Sequence, residues 1–176
     1  NEDSRSQSAY LVSGMVSVDA SQDMDGSMGL AAGYSLYSGD KASDPDDMAY
    51  DNLYYDDHRF HGAMDLAQGL SQAAGTFSGT TGAGLKDLGF KGWVKSESGL
   101  GLKGAVHFFS THVDVPVANG DRNSLGREID VVLFKDLESG MSAQIGGGFF
   151  SPGNVTEDIL GDESAAWIYA QGTTSF

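Results

Sequence analysis

The sequence predicts an all-β chain folded as a transmembrane antiparallel barrel of the outer-membrane type. Three observations predict it. Seven stretches alternate apolar residues with polar or bare ones over roughly ten to fourteen positions, longer than the ~5–6 usual in soluble sheets. The connections between them include both minimal turns and long loops, as in outer-membrane barrels. The face opposite the apolar one carries charges in rows, which are costly in a packed core and natural against a water-filled lumen.

The strands follow in order. Residues 10–19, YLVSGMVSVD, set Val12, Gly14, Val16 and Val18 against Leu11, Ser13, Met15, Ser17 and Asp19. Residues 28–37 set Met28, Leu30, Ala32, Tyr34 and Leu36 against Gly29, Ala31, Gly33 and Ser35. Residues 86–95 set Leu88, Phe90, Gly92 and Val94 against Asp87, Lys91, Trp93 and Lys95. Residues 100–109 set Leu102, Gly104, Val106 and Phe108 against Lys103, Ala105, His107 and Phe109. Residues 125–134 place Leu125, Arg127, Ile129, Val131 and Leu133 opposite Gly126, Glu128, Asp130, Val132 and Phe134. After the turn DLESG, Met141, Ala143, Ile145, Gly147 and Phe149 alternate with Ser142, Gln144, Gly146 and Gly148. The last strand, 164–176, has Ala166, Ile168, Ala170, Gly172 and Phe176 on its apolar face. A tilted strand needs ~9–11 residues to cross a bilayer, and these suffice. Helical periodicity is absent; residues 60–74 read as an ordered loop piece with room for a short helix.

DLESG (136–140) and SESG (96–99) are minimal turns. VPVANGDRNS (115–124), SPGNVTEDILGDES (151–164) and about 40–84 are expected as long loops, the last extracellular. Tyr34, Phe108 and Phe149 suit an interfacial aromatic girdle.

Composition narrows the function classes. The chain carries 25 acidic and 10 basic residues among 176, a net charge of -15, which argues against a nucleic-acid partner. With no cysteine there is no disulfide framework and no thiolate metal site. No stretch reaches the ~18 apolar residues of a membrane helix, which is compatible with a barrel that hides its apolar surface at every second residue. No signal peptide is legible, so Asn1 is expected to be a mature or truncated start.

Five segments occur in sequence over most of the chain: AAGYSLYSGD with the Asp-rich loop after it, HRFHGAMDL, LGREIDVVLFKDLESG, the strand ending in GGGFFSPG, and DESAAWIYAQGTTSF closing on Phe176. Together they resemble the C-terminal part of the alginate-export family of outer-membrane porins. FFSPG stands where that family has FFPG, one residue longer at the rim. The resemblance implies a bacterial outer-membrane barrel that passes an anionic polysaccharide or other polar solutes, with more strands than this chain supplies. The expected partners are outer-membrane lipid, the solute, and another polypeptide completing the barrel. Single-chain barrels use an even number of strands, so seven do not close alone. The 176 residues are therefore expected to be one barrel domain, or seven or eight strands of a larger one. The alternative reading is a non-conducting membrane barrel serving as scaffold or partner-binding module, with the acidic loops as contact surface.

The expected pore-lining residues are Lys91, Lys95, Lys103, His107, Glu128 and Asp130, all on the non-apolar parity. Lys91 and Lys95 stand roughly 13 Å apart along one strand, a ladder suited to steering anions. The competing reading pairs the lysines with Glu128 and Asp130 in a rigid polar wall. Seven aspartates lie between Asp40 and Asp57; Asp44, Asp46 and Asp47 are weak calcium candidates, because their spacing matches no ordered calcium loop. Residues 19–27 are acidic too, but Gly26 falls too early for an EF-hand. His58 and His61 have the spacing of a zinc pair without a persuasive third ligand. Ser110 and His112 share the lipid-facing parity, no nucleophile motif is present, and no enzymatic activity and no cofactor are expected.

Overall fold

The structure is a computed structural model and describes residues 6–20, 26–41, 43, 45–50, 61–66, 82–137 and 140–174. Seven strands form one antiparallel sheet in sequence order: β1 (Leu11–Asp19), β2 (Gly26–Tyr37), β3 (Leu85–Ser96), β4 (Leu100–Val117), β5 (Gly120–Asp136), β6 (Met141–Pro152) and β7 (Ala165–Thr174). The sheet is not closed, since β1 and β7 remain edges. One short helix, α1 (Asn154–Leu160), interrupts the connection from β6 to β7.

The register turns the alternation of each strand into continuous rows. One row runs Val16, Ala32, Phe90, Val106, Ile129, Phe149, Ala166 across all seven strands. The next runs Val18, Leu30, Gly92, Gly104, Val131, Gly147, Ile168. Beyond it lie Met28, Val94, Leu102, Leu133, Ile145 and Ala170; on the other side lie Gly14, Tyr34, Leu88, Phe108 and the exposed Arg127. This face is left uncovered: Val16, Leu30 and Ile168 are 75, 70 and 76 % exposed. The opposite face is covered where β3, β4 and β5 meet residues 61–66, and there it holds the buried polar side chains His107, Glu128, Asp87 and Asp130, while Met15 on β1 is 68 % exposed on the same face. Burial is thus inverted relative to a soluble sheet, with apolar rows outward and charges inward.

Glycine on the inner face makes room for aromatic rings from the neighbouring strand. Gly29 faces Trp93, Gly101 faces Phe134 and Gly146 faces Tyr169, each as direct cross-strand partners. A Cβ at any of the three would lie within 2.6 Å of the facing ring. These pairs explain why so few large side chains occur on one face of the glycine-rich strands: one member of each pair is bare so that the other can lie flat.

Two expectations about the connections are corrected. Residues 115–124 are not a long loop: β4 and β5 continue pairing through Val117 and Gly120, leaving a two-residue turn. Gly120, at φ +97°, takes the backbone conformation the turn needs. The 151–164 connection contains α1, a helix that period counting did not reveal. Its Val155 packs with Leu85, Phe109, Val113, Val115, Leu125 and Phe150 in a small apolar cluster at that end of the sheet. Thr156 Oγ1 donates to the Leu125 carbonyl at 2.5 Å. The 38–84 connection leaves and re-enters the sheet side by side, with Asp40 N donating to the Gly82 carbonyl at 2.7 Å.

Candidate functional site

The site lies on the inner face, where β3, β4 and β5 meet residues 61–66 of the long connection. Asp87 on β3 accepts from two imidazoles. His61 Nδ1 lies 2.9 Å from its Oδ2, and His107 Nδ1 on β4 lies 3.0 Å from both its oxygens. His61, donating from Nδ1, is free to accept at Nε2 from the Tyr37 hydroxyl, 2.8 Å away. The chain Tyr37–His61–Asp87–His107 therefore joins the end of β2, the connection, β3 and β4. His61, Asp87 and His107 are all buried.

Glu128 and Asp130, two residues apart on β5, hold the same segment by its backbone. Met64 N donates to Glu128 Oε1 at 2.8 Å, and Ala63 N donates to Asp130 Oδ2 at 3.3 Å. Close approach is possible because residue 62 is glycine. Its φ is +89°, and a Cβ there would sit 2.5 Å from Glu128 Oε1. Gly148, across from Asp130, is bare for a similar reason: a Cβ would meet Asp130 Oδ1, Trp167 Nε1 and Met64 Cγ, each within 2.8 Å. The other oxygen of each carboxylate, Glu128 Oε2 and Asp130 Oδ1, is buried without an N–H donor, and the two carboxyl groups lie within hydrogen-bonding reach of each other.

The expected pore-lining residues divide into two groups. His107, Glu128 and Asp130 lie on the inner face, buried where residues 61–66 bond to Asp87, Glu128 and Asp130. Of the lysines, Lys95 lies apart from them, while Lys91 and Lys103 share a cavity lining with His107 and Asp130. Lys95 pairs with Asp136 at 2.6 Å at the short-turn end, with both side chains partly exposed. The Lys103 ammonium sits 4.6 Å from the centre of the Phe134 ring, a cation–π contact. Lys91 and Lys103 line a cavity of about 650 Å³ together with Met15, Trp93, His107 and Asp130. The expected pairing of the lysines with Glu128 and Asp130 is not what holds the carboxylates; the loop backbone does that.

Asp87 had the inner parity in the sequence but was not singled out as a site residue, and His61 was not linked to it. His61 entered only as half of a zinc pair with His58, which lies outside the described residues. The signal was His61 immediately before a glycine, in a segment whose parity matched no strand. Of the calcium candidates, Asp44 also lies outside the described residues. Asp47 bonds its own loop, accepting from Ala49 N at 3.0 Å. Among the described residues no group of three or more acidic, histidine or cysteine side chains is placed to hold a metal, Asp46 included. His112 ties the outer edge of the sheet: it accepts from Gly39 N at 2.9 Å and meets the Tyr10 hydroxyl at 3.3 Å. Ser110 takes no part in that contact set.

The sequence matches no protein-family model and no curated protein.

The arrangement anchors residues 61–66 to the sheet. Asp87 orients two histidines as an acid orients a catalytic imidazole. Here His61 Nε2 is engaged by the Tyr37 hydroxyl, which ties that end of the relay to the end of β2.

Proposed function

We propose that the chain is a portion of an outer-membrane β-barrel of the alginate-export type, a porin-like channel for polar or anionic solutes. The observation that carries the reading is the inversion of burial: continuous exposed apolar rows on one face, buried carboxylates and imidazoles on the other. Four apolar rows cover about 27 Å of strand, or about 21 Å of height at a barrel's usual tilt, near the ~25 Å apolar band of such proteins. The three connections at one end, 20–25, 97–99 and 137–140, would be periplasmic. Those at the other end, with the 38–84 connection and α1, would be extracellular.

One observation favours the non-conducting reading instead. Residues 61–66 are pinned to the inner wall by four hydrogen-bonded contacts from Asp87, Glu128, Asp130 and Tyr37. A segment held so firmly would narrow a lumen or plug it.

The experiment that separates these readings is planar-bilayer recording on the protein reconstituted in lipid, with spin labels at Val16, Leu30, Val131 and Ile168. Lipid-accessible labels with a measurable conductance support the channel. Lipid-accessible labels without conductance favour the scaffold. Labels exposed to water overturn the membrane reading altogether.

A further inference from the structure

We infer that Glu128 and Asp130 share one proton on the inner face of the sheet, and that this proton is a latch: residues 61–66 stay attached to the two acids while it is bound and come away when it leaves. At i and i+2 on β5 the two side chains point to the same side of the sheet. Each gives one oxygen to the segment, Glu128 Oε1 to Met64 N and Asp130 Oδ2 to Ala63 N. The remaining oxygens, Glu128 Oε2 and Asp130 Oδ1, are buried without an N–H donor, and the two carboxyl groups lie within hydrogen-bonding reach of each other. An ionised carboxylate can only accept. The contact between them is therefore a hydrogen bond only when one carries a proton, and one shared proton serves both oxygens.

Each packed element contributes its own groups. On β4, His107 stands directly opposite Glu128, and its Nδ1 donates to Asp87 on β3. Asp87 also accepts from His61 of the segment, so neither imidazole Nδ1 is available to the pair. Lys91 on β3 and Lys103 on β4 line a cavity with Asp130. On β6 the residues facing the pair, Phe150 and Gly148, carry no charge. Tyr169 on β7 lies close enough to interact with Asp130, and Asp65 is the acid of the segment itself.

Loss of the proton leaves two negative charges in contact where both side chains are buried. A charged acceptor strengthens each loop N–H bond, but like charges held together away from water repel strongly. Residues 61–66 are what keeps water out: Gly62 lies so close to Glu128 that a Cβ would sit 2.5 Å from its Oε1. Moving the segment off solvates both acids and relieves the repulsion. The attached form thus holds one proton more than the released form, whose solvated carboxylates ionise above about pH 4–5. Linkage then favours release as pH rises, by up to about tenfold per pH unit for one proton. Protonation of the imidazoles acts in the other direction: a proton on His61 Nε2 removes the acceptor for the Tyr37 hydroxyl as pH falls. Release needs only the inner-face geometry and does not depend on whether the barrel conducts.

Site-resolved amide exchange on the protein in detergent micelles tests the latch, with each rate divided by the intrinsic rate at that pH. Between about pH 5 and about pH 8 the opening constant at Ala63 and Met64 is expected to rise at least about tenfold, while Ile145 in the middle of β6 stays level. Glu128→Gln keeps the latched arrangement without a titrating proton, because its amide oxygen accepts from Met64 N and its NH2 donates to Asp130. In that variant the opening constant is expected to stay within about twofold over the same range. Asp130→Asn makes the converse arrangement, carries the same expectation, and stands in if Glu128→Gln does not fold. A wild-type profile that is flat, or that falls as pH rises, overturns the proposal without any variant. So does a rise at Ala63 and Met64 that either variant retains in full, or one that Ile145 matches, since the whole sheet would then be the titrating unit.

Discussion

Replacing Val131 with arginine puts the inverted burial to its sharpest test. Val131 is half exposed and belongs to the third of four apolar rows, about 3.4 Å of strand from the middle of the band. Its cross-strand neighbours in that row are Gly104 and Gly147, which cannot shield a new side chain. If this face meets water, Val131→Arg changes a solvated surface, and the expected effect is within about 0.5 kcal/mol. If it meets lipid near the midplane, the cost is about 2–4 kcal/mol. That is about 30- to 700-fold in the folding equilibrium, at ~1.4 kcal/mol per tenfold. The next residue supplies the control. Val132 turns to the inner face, directly opposite Lys103, so Val132→Glu places a carboxylate beside an ammonium and is expected to be neutral or up to about 1 kcal/mol stabilising. Denaturant midpoints of both variants, followed by tryptophan fluorescence in lipid vesicles, measure the difference. A neutral Val131→Arg, or equal costs at 131 and 132, would refute the assignment of the apolar rows to lipid.

Other perturbations probe the inner face. Asp87→Asn keeps one acceptor oxygen for two imidazoles and loses the charge, at a cost of about 1.5–3 kcal/mol. Amide exchange at residues 61–66 is expected to accelerate about 10- to 150-fold; unchanged exchange would mean the relay does not hold the segment. Gly62→Ala meets both a left-handed backbone and the Glu128 carboxylate, whereas Gly161→Ala at φ +107° meets only the backbone, with no atom within 4 Å. The thermal midpoint should therefore fall further for Gly62→Ala than for Gly161→Ala, and the reverse order would show that Glu128 yields easily. In a salt gradient, Lys91→Gln with Lys103→Gln should move the reversal potential toward cation preference. Lys95→Gln should move it little, because its partly exposed charge is paired with Asp136; a dominant effect at Lys95 would place the selective region at the short-turn rim.

Parity made the faces legible in the sequence, because a strand has only two and the register keeps them aligned over seven. Ile129 and Val131 could be set against Glu128 and Asp130 without knowing what lay beside them. The ends of strands were harder. Pro116 and the polar run after it read as a loop, although Asn119–Gly120 is a strong short-range signal of a tight hairpin. Lys95 had the inner parity, yet a long side chain at a strand end could reach Asp136 two strands away. The anchoring relay was the least legible part. His61 is separated from Tyr37 by 24 residues and from Asp87 by 26, and no period links them. Only the return of the connection over the sheet brings them together.

The two faces also differ in what they can specify. On the proposed membrane reading, rows of Val, Leu, Ile and Phe on the outer face would make nearly interchangeable contacts with lipid, so changes there would alter stability without choosing a solute. The inner face is unforgiving. Trp93, Phe134 and Tyr169 each need a glycine opposite, and Glu128 needs one at position 62 to reach the backbone of the segment it holds. A buried carboxylate that accepts a loop N–H is costly to leave alone when that loop departs, because its oxygen then loses its donor in a water-poor place. The acids and the loop thus stabilise one another, and displacement of residues 61–66 is unfavourable unless water replaces what the carboxylates lose. On the proposed channel reading, selectivity and opening would be set where β3, β4 and β5 meet that segment, among Asp87, His107, Glu128 and Asp130.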